Sequence, residues 1–325
     1  MARPAAKSAE RLGSILAITA PIFALIGLGY ASVYFKGFTS AEMRVFGRYV
    51  INIALPALLF NAVAQRDFSE VMDSGYMLTV ILAGVMTMGA VYGWFALQGT
   101  GPARRAIGAM GATVPNTGYI GYPVLLLVFP DLAGAVLAMN MVVENFLIIP
   151  TALILLELSR PREKGGMMRL IRELALTLLR RPLIIGLTLG MVVSLMGVPV
   201  PEALVRLMGL IAASAAPIAL FVIGGTLVGL PTKGNRAMAA QIAGAKLLLH
   251  PALTVLAMAL LAYGGLPAPQ GDFATAAILS AAIPMFSIFT VLSQEYGHEG
   301  LASLTLLFAT TAAFFTLSAL LYILV

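Results

Sequence analysis

The sequence predicts an all-α membrane protein with ten transmembrane helices, arranged as two inverted five-helix repeats with crossed, broken helices at spans 4 and 9. Three observations carry this expectation. Of the 325 residues, 60% are hydrophobic and only 10% charged, whereas a soluble chain is roughly a quarter charged, so water does not bathe most of this surface. Ten stretches have the roughly 20 mostly apolar residues that a helix needs to cross a bilayer. Prolines recur at matching places in the two halves of the chain.

The stretches run over residues 15–35, 43–64, 76–97, 106–129, 132–158, 182–198, 204–230, 238–263, 273–293 and 301–325. The first has a basic flank like that of a signal peptide, but its match to a later span argues that it is retained. Orientation follows from the basic residues, because cytoplasmic loops collect them. Connections 1-2, 3-4, 5-6, 7-8 and 9-10 hold Lys36, Arg44, Arg48, Arg104, Arg105, Arg160, Arg162, Lys164, Arg169, Arg172, Arg180, Arg181, Lys233 and Arg236. Arg3, Lys7, Arg11, Arg66 and Arg206 fall on the other side, and Lys246 lies within a span. Both termini are therefore expected in the periplasm, against the vote of the basic N-terminus. The longest connection, 159–181, mixes Met167, Leu170, Ile171, Leu174, Leu176 and Leu178 with Arg169, Arg172, Arg180 and Arg181. It reads either as a basic amphipathic helix on the cytoplasmic membrane surface or as a solvated linker that sets topology.

A shift of 161 residues superposes Pro21 on Pro182, Gly29 on Gly190, Pro56 on Pro217 and Phe60 on Phe221, so that Pro-x-x-Leu-Phe occurs at 56–60 and again at 217–221. A shift of 169 brings Pro115 onto Pro284. With five spans in each half, an odd number, the second copy enters the membrane upside down. Such inverted halves are a carrier design: they allow two related conformations, open to one side and then the other, around a site near the midplane. The division expected is a first repeat over 1–158, a linker over 159–181 and a second repeat over 182–325.

Span 4 contains Val114, Pro115, Asn116, Thr117 and Gly118, followed by Gly121 and Pro123; span 9 has Pro284 in mid-membrane, followed by Met285, Phe286 and Ser287. Proline removes a donor and clashes one turn back. Taken singly, these prolines read as kinks in packed helices; paired in inverted halves, they read as breaks that cross. Freed backbone groups in hydrocarbon must face protein or a water-filled cavity. Each half-helix that begins at a break presents unpaired N–H groups and the positive end of its dipole to the crossing. A carboxylate suits such a place, with side-chain donors from Asn116, Thr117 and Ser287. Pro115, Gly118, Pro284 and Met285 complete the candidate substrate site, with Asn140 from span 5.

Ionisable groups within a span are costly, and each is a functional hypothesis by default. Glu144 sits near the centre of span 5, roughly 18 to 20 Å from either end at 1.5 Å per residue, with Asn140 one turn earlier and Asn145 beside it. Lys246 lies about 12 Å into span 8, with His250 four residues on along the same face. Lys246 either snorkels toward the cytoplasm, pairs with Glu144, or supplies a fixed positive charge that supports the crossing. Glu144, Lys246 and His250 are the candidates for ion coupling, by protons first and sodium second. Asn52 and Asn61 flank Pro56, and Asn52 is placed to bond carbonyls that the proline frees. Gly186 and Gly190 are expected to permit close helix packing.

These residues carry a family likeness. The stretches are 54–60 (Ala-Leu-Pro-Ala-Leu-Leu-Phe), 115–123 (Pro-Asn-Thr-Gly-Tyr-Ile-Gly-Tyr-Pro), 216–225 (Ala-Pro-Ile-Ala-Leu-Phe-Val-Ile-Gly-Gly), 246–251 (Lys-Leu-Leu-Leu-His-Pro), Ile283 with Pro284, and 295–297 (Glu-Tyr-Gly). In them the chain resembles the auxin efflux carrier family, of the bile acid/auxin/arsenite transporter superfamily, whose members include bacterial permeases for small dicarboxylates and the plant auxin exporters. The resemblance implies a scaffold part from spans 1, 2, 6 and 7, a transport part from spans 3–5 and 8–10, and a homodimer assembled through the scaffold. It also implies a crossover site at Pro115, Asn116 and Pro284. Plant members commonly place a polar residue where Met285 stands and often carry a long hydrophilic central loop, which this chain lacks. A multi-pass protein of the bacterial inner membrane is the better match.

The function expected is secondary active transport of small organic anions such as carboxylates, by alternating access, with the lipid bilayer as host. No cofactor, metal or nucleic acid is expected. No cysteine is present and there are two histidines, which leaves little for metal, triad or thiol chemistry, and no P-loop pattern occurs. An enzyme is therefore not expected. Sodium-coupled symport of the bile-acid-symporter type is the alternative within transport, with Asn116, Thr117, Ser287 and Glu144 as the available oxygen ligands. A membrane sensor is the alternative outside it.

Overall fold

The computed structural model describes residues 4–65, 72–159, 172, 176, 179–197, 199–231 and 234–324. Among them every regular element is a helix, and the one β-type contact is an isolated antiparallel bridge between Pro115 and Met285. In chain order the helices are α1 (Pro4–Tyr34), α2 (Ser40–Ala64), α3 (Ser74–Leu97), α4 (Pro102–Thr113), α5 (Thr117–Val128) and α6 (Ala133–Glu157). They continue as α7 (Pro182–Met196), α8 (Glu202–Thr226), α9 (Arg236–Tyr263), α10 (Gly271–Ala281), α11 (Ile288–Gln294) and α12 (Glu299–Leu324).

Six of these, α2, α3, α6, α8, α9 and α12, are long and apolar enough to cross a membrane. The remaining four predicted spans differ for identifiable reasons. The apolar part of α1 covers Thr19–Tyr34 and α7 has only 15 residues. The fourth and ninth stretches are each divided, into α4 with α5 and α10 with α11, around Pro115 and Pro284. Most of the predicted linker helix, including Met167, Arg169, Leu170, Ile171, Leu174 and Leu178, lies outside the described residues; Arg172, Leu176 and Leu179 are helical and exposed.

Side chains close the starts of α2, α3 and α9, where four N–H groups would otherwise lack partners. The Thr39 hydroxyl accepts from the Glu42 N–H at 3.3 Å while the Glu42 carboxylate accepts from the Thr39 N–H at 2.7 Å, a capping box that starts α2. Asn235 caps α9 through Met238 N–H at 3.0 Å. α7 stops at Gly197, whose φ of 60° suits glycine at a helix end.

Four helices carry a wide π turn: Val50–Ala54, Thr117–Gly121, Glu144–Ile148 and Ala245–Leu249. In each, a proline follows two residues after the turn ends: Pro56, Pro123, Pro150 and Pro251. A proline ring collides with the carbonyl four residues back, and one extra residue in the turn moves that carbonyl aside. Glu144 and Lys246 both stand within such turns, a placement common at functional sites.

Among the described residues two larger apolar cores form, with two smaller clusters beside them. One gathers residues of α1, α3, α4, α5, α6, α8, α9 and α12 with Met285 and Phe289; the other joins α2, α6, α7 and α8 through Leu55, Leu59, Leu137, Leu187 and Ala219. Helices touch backbone to backbone at glycine. A Cβ on Gly29 of α1 would lie 1.9 Å from the Phe221 carbonyl oxygen of α8, and one on Gly190 of α7 would lie 3.1 Å from the Phe60 carbonyl oxygen of α2. Residues 190 and 60 are the counterparts of 29 and 221 under the 161-residue shift, so the same contact occurs twice.

Candidate functional site

The two breaks meet. Asn116 N–H donates to the Pro284 carbonyl at 2.8 Å, and Phe286 N–H donates to the Val114 carbonyl at 3.3 Å. Each proline-containing link thus supplies a backbone partner for the other, which answers the demand that groups freed in hydrocarbon be satisfied. Across the junction the Asn116 side-chain amide donates to the Ser287 hydroxyl at 3.3 Å. Beyond it, Asn116 O accepts from both Ile120 N–H and Gly121 N–H at 3.0 Å, which winds the start of α5.

Glu144 comes to this junction from α6. It is 4% exposed and accepts a short hydrogen bond from the Thr117 hydroxyl, joining α6 to the first residue of α5. Gly118 passes close against α2, where a Cβ would meet Leu55 Cδ1 at 2.8 Å. Met285 is fully buried in the first core, so its side chain packs with the hydrophobic interior and is absent from the lining of the main cavity.

Lys246, 0% exposed, reaches the end of α10. Its ammonium donates to the Ala281 carbonyl at 2.6 Å and lies 3.0 Å from His250 Nδ1. A cation at the last carbonyl of a helix suits the dipole, so Lys246 braces the half-helix that stops at the Pro284 break. That contact sits at the Ala281 end of α10, beside the crossing. The Lys246 side chain turns inward to Ala281 instead of outward, and it does not form an ion pair with Glu144 within 4 Å.

A second buried set consists of Tyr76, Asn140 and Ser280. Tyr76 OH donates to Asn140 Oδ1 at 3.0 Å and toward Ser280 Oγ at 3.3 Å, and Asn140 Nδ2 donates to Ser280 Oγ at 3.1 Å. This satisfies Asn140 within the protein. Tyr76 and Ser280 were not among the residues predicted from sequence; a lone hydroxyl in a hydrophobic stretch gives no spacing signal.

Two cavities flank the junction. The larger, about 370 Å³, is lined by Asn52, Pro115, Asn116, Thr117, Gly118, Glu144, Asn145, Arg181 and Ser287 with apolar neighbours from α2, α6, α7 and α11. The smaller, about 20 Å³, is bordered by Pro115, Asn140, Glu144, His250 and Ser280, and is the size for one water. Glu144 borders both. Asn52 thus faces the larger cavity, and Asn61 accepts from Gln65 Nε2 at 2.5 Å.

Comparison with known proteins finds its matches among membrane transport proteins. Residues 14–323 match the sequence model of a family described as "Membrane transport protein". A protein of Rhizobium meliloti (strain 1021), named as a candidate malonate transporter, is 29% identical over 318 residues, 96% of either chain. The uncharacterized transporter YfdV of Escherichia coli (strain K12) is 28% identical over 212 residues, 64% of this chain and 67% of its own. Auxin efflux carrier component 2 of Arabidopsis thaliana is 26% identical over 145 residues, 44% of this chain and 22% of its own.

Proposed function

This chain belongs to the membrane transport protein family, that of the auxin efflux carriers, and on that premise we propose that it is a secondary carrier of small organic anions, carboxylates above all. The observation that carries the reading is the junction of α4–α5 with α10–α11, which sets Asn116, Thr117 and Ser287 beside a cavity of about 370 Å³. The positive end of α5 and these neutral donors suit a carboxylate without opposing it with a full charge. The name of the Rhizobium meliloti relative, which is similar over nearly the whole chain, favours the same chemistry.

The same reading takes the chain as ten spans in two inverted repeats, with a scaffold from spans 1, 2, 6 and 7 and a transport part from spans 3–5 and 8–10. The recurrence of the Gly29–Phe221 contact as Gly190–Phe60 supports such a repeat. Opposed halves of this kind permit alternating access. A homodimer through the scaffold and an inner-membrane location complete the proposal.

An inside-negative potential favours export of an anion unless protons accompany its entry. Glu144, on the border of both cavities, is the group placed to take up a proton from one and release it to the other. The test is uptake of radiolabelled malonate and other carboxylates by the purified protein in liposomes, with imposed pH and sodium gradients. Saturable, proton-dependent uptake that Asn116→Ala reduces at least tenfold is the expected result. A sodium requirement would replace the proton assignment with sodium symport, and saturable binding without translocation would replace the carrier with a sensor.

A further inference from the structure

Arg181 counts in the sequence as one more basic residue of a cytoplasmic linker, but the structure puts its guanidinium elsewhere. The helix it precedes, α7, has 15 residues, about 22 Å at 1.5 Å per residue, against a hydrocarbon core of about 30 Å. An α7 that crosses the core must therefore end inside it on at least one side. At the Arg181 end the depth is marked directly: Arg181 Nη1 donates to Asn145 Oδ1 at 3.1 Å. Asn145 lies in the middle of the 25-residue α6, about 18 Å from either end.

A charge at that depth needs a partner or a wet cavity. Arg181 is half-buried and lines the same cavity as Asn116, Thr117 and Ser287. Its partner is a neutral amide that is itself held in place, since Asn145 Nδ2 donates to the Met141 carbonyl at 2.9 Å. Among the described residues no carboxylate lies within 4 Å of Arg181. Its nearest carboxylate along α6, that of Glu144, is engaged by Thr117. A guanidinium carries five donors in a planar fork that matches a carboxylate, and Asn145 takes one of them.

We propose that Arg181 is a second anion subsite, which takes the far carboxylate of a small dicarboxylate whose near carboxylate rests against Asn116 and Ser287. This rests on the carrier reading above and deepens it: the crossing recognises a carboxylate, and Arg181 selects for a second one. The substrate then spans from α7, in the core shared with α2 and α8, to the junction of α5 and α11. Asn145 holds the guanidinium when the cavity is empty and yields it to the stronger, charge-assisted bond when the substrate arrives.

The experiment compares malonate with propanoate, equal in carbon number and different by one carboxylate, on the full chain in liposomes. Half-saturation is measured for malonate uptake, and propanoate is scored as a competitor. In the wild type malonate is held at least tenfold more tightly than propanoate. Arg181→Gln brings that ratio to within threefold of one, mainly through malonate, and Arg181→Lys gives an intermediate ratio. A ratio that Arg181→Gln leaves unchanged, or a wild type with no preference, overturns the subsite. Asn116→Ala weakens both compounds together; if it weakens neither, the crossing is the wrong place for the first carboxylate, whatever Arg181 does. Should Arg181→Gln fail to assemble, the rise in melting temperature that malonate gives the wild type in detergent decides, with Arg181→Lys as the second variant. A rise no larger than that given by propanoate, or one undiminished in Arg181→Lys, also overturns the proposal.

Discussion

Lys246 and Glu144 show how differently two buried charges are used. Lys246 ends on the Ala281 carbonyl and His250, so its first duty is to the half-helix beneath the Pro284 break. Replacing it with methionine keeps the stem and removes the donor. Hydrogen bonds from charged groups contribute about 1.5–3 kcal/mol, and Lys246→Met is expected to cost stability on that order, read as a lowered melting temperature in detergent, together with lost transport. Glu144 is bonded to one hydroxyl and borders two cavities. Glu144→Gln preserves an acceptor for Thr117 and removes the titratable group. It should assemble normally while uptake no longer responds to an imposed pH gradient; normal assembly with an unchanged response would remove Glu144 from the coupling. Both residues were legible in the sequence because a charge within an apolar run stands out. Their partners were not: nothing in one sequence tells that Lys246 turns to Ala281 rather than to Glu144. Arg181 was hidden for the opposite reason, standing among other basic residues whose count explained it too easily.

At the scale of elements, the long apolar runs gave helix edges within a few residues. α2, α3 and α9 cover the predicted stretch and start two or three residues earlier, at side-chain caps, whereas α6 and α12 match theirs to within two residues at each end and α8 stops four residues short, at Thr226. The breaks at Pro115 and Pro284 were legible from proline chemistry, whereas the two backbone bonds that join them are long-range and carry no local pattern. The π turns had a signal that composition alone conceals, a proline placed two residues beyond each of them. Glycine contacts are the sharpest test of element packing. A methyl group on Gly29 would fall 1.9 Å from the Phe221 carbonyl oxygen, whereas Gly27, in the same helix, has nothing within 4 Å of its Cβ position. Gly29→Ala must therefore push α1 off α8, while Gly27→Ala also improves helix propensity by up to about 1 kcal/mol. The expected outcome is loss of monodisperse protein for Gly29→Ala and a wild-type elution profile for Gly27→Ala. Equal behaviour of the two would show that α1 does not pack on α8 in this way.

Across the whole molecule, the basic residues sort to one set of connections, and the large cavity runs from the junction toward the connection that holds Arg181. If the charge-rich side is cytoplasmic, this conformation has its cavity on the inner side, and an anion leaving the cell loads from there. The same assignment places the connection between α3 and α4 inside and that between α9 and α10 outside. Because the chain has no cysteine, single cysteines report location without a background. Gly101→Cys and Leu266→Cys sit at exposed positions in those two connections. A membrane-impermeant maleimide applied to intact cells should label Leu266→Cys and spare Gly101→Cys until the inner membrane is opened. The reverse pattern would place both termini in the cytoplasm and the basic connections outside. Arg181 would then greet substrate from the external side, and the same cavity would serve as the loading site for uptake instead of export.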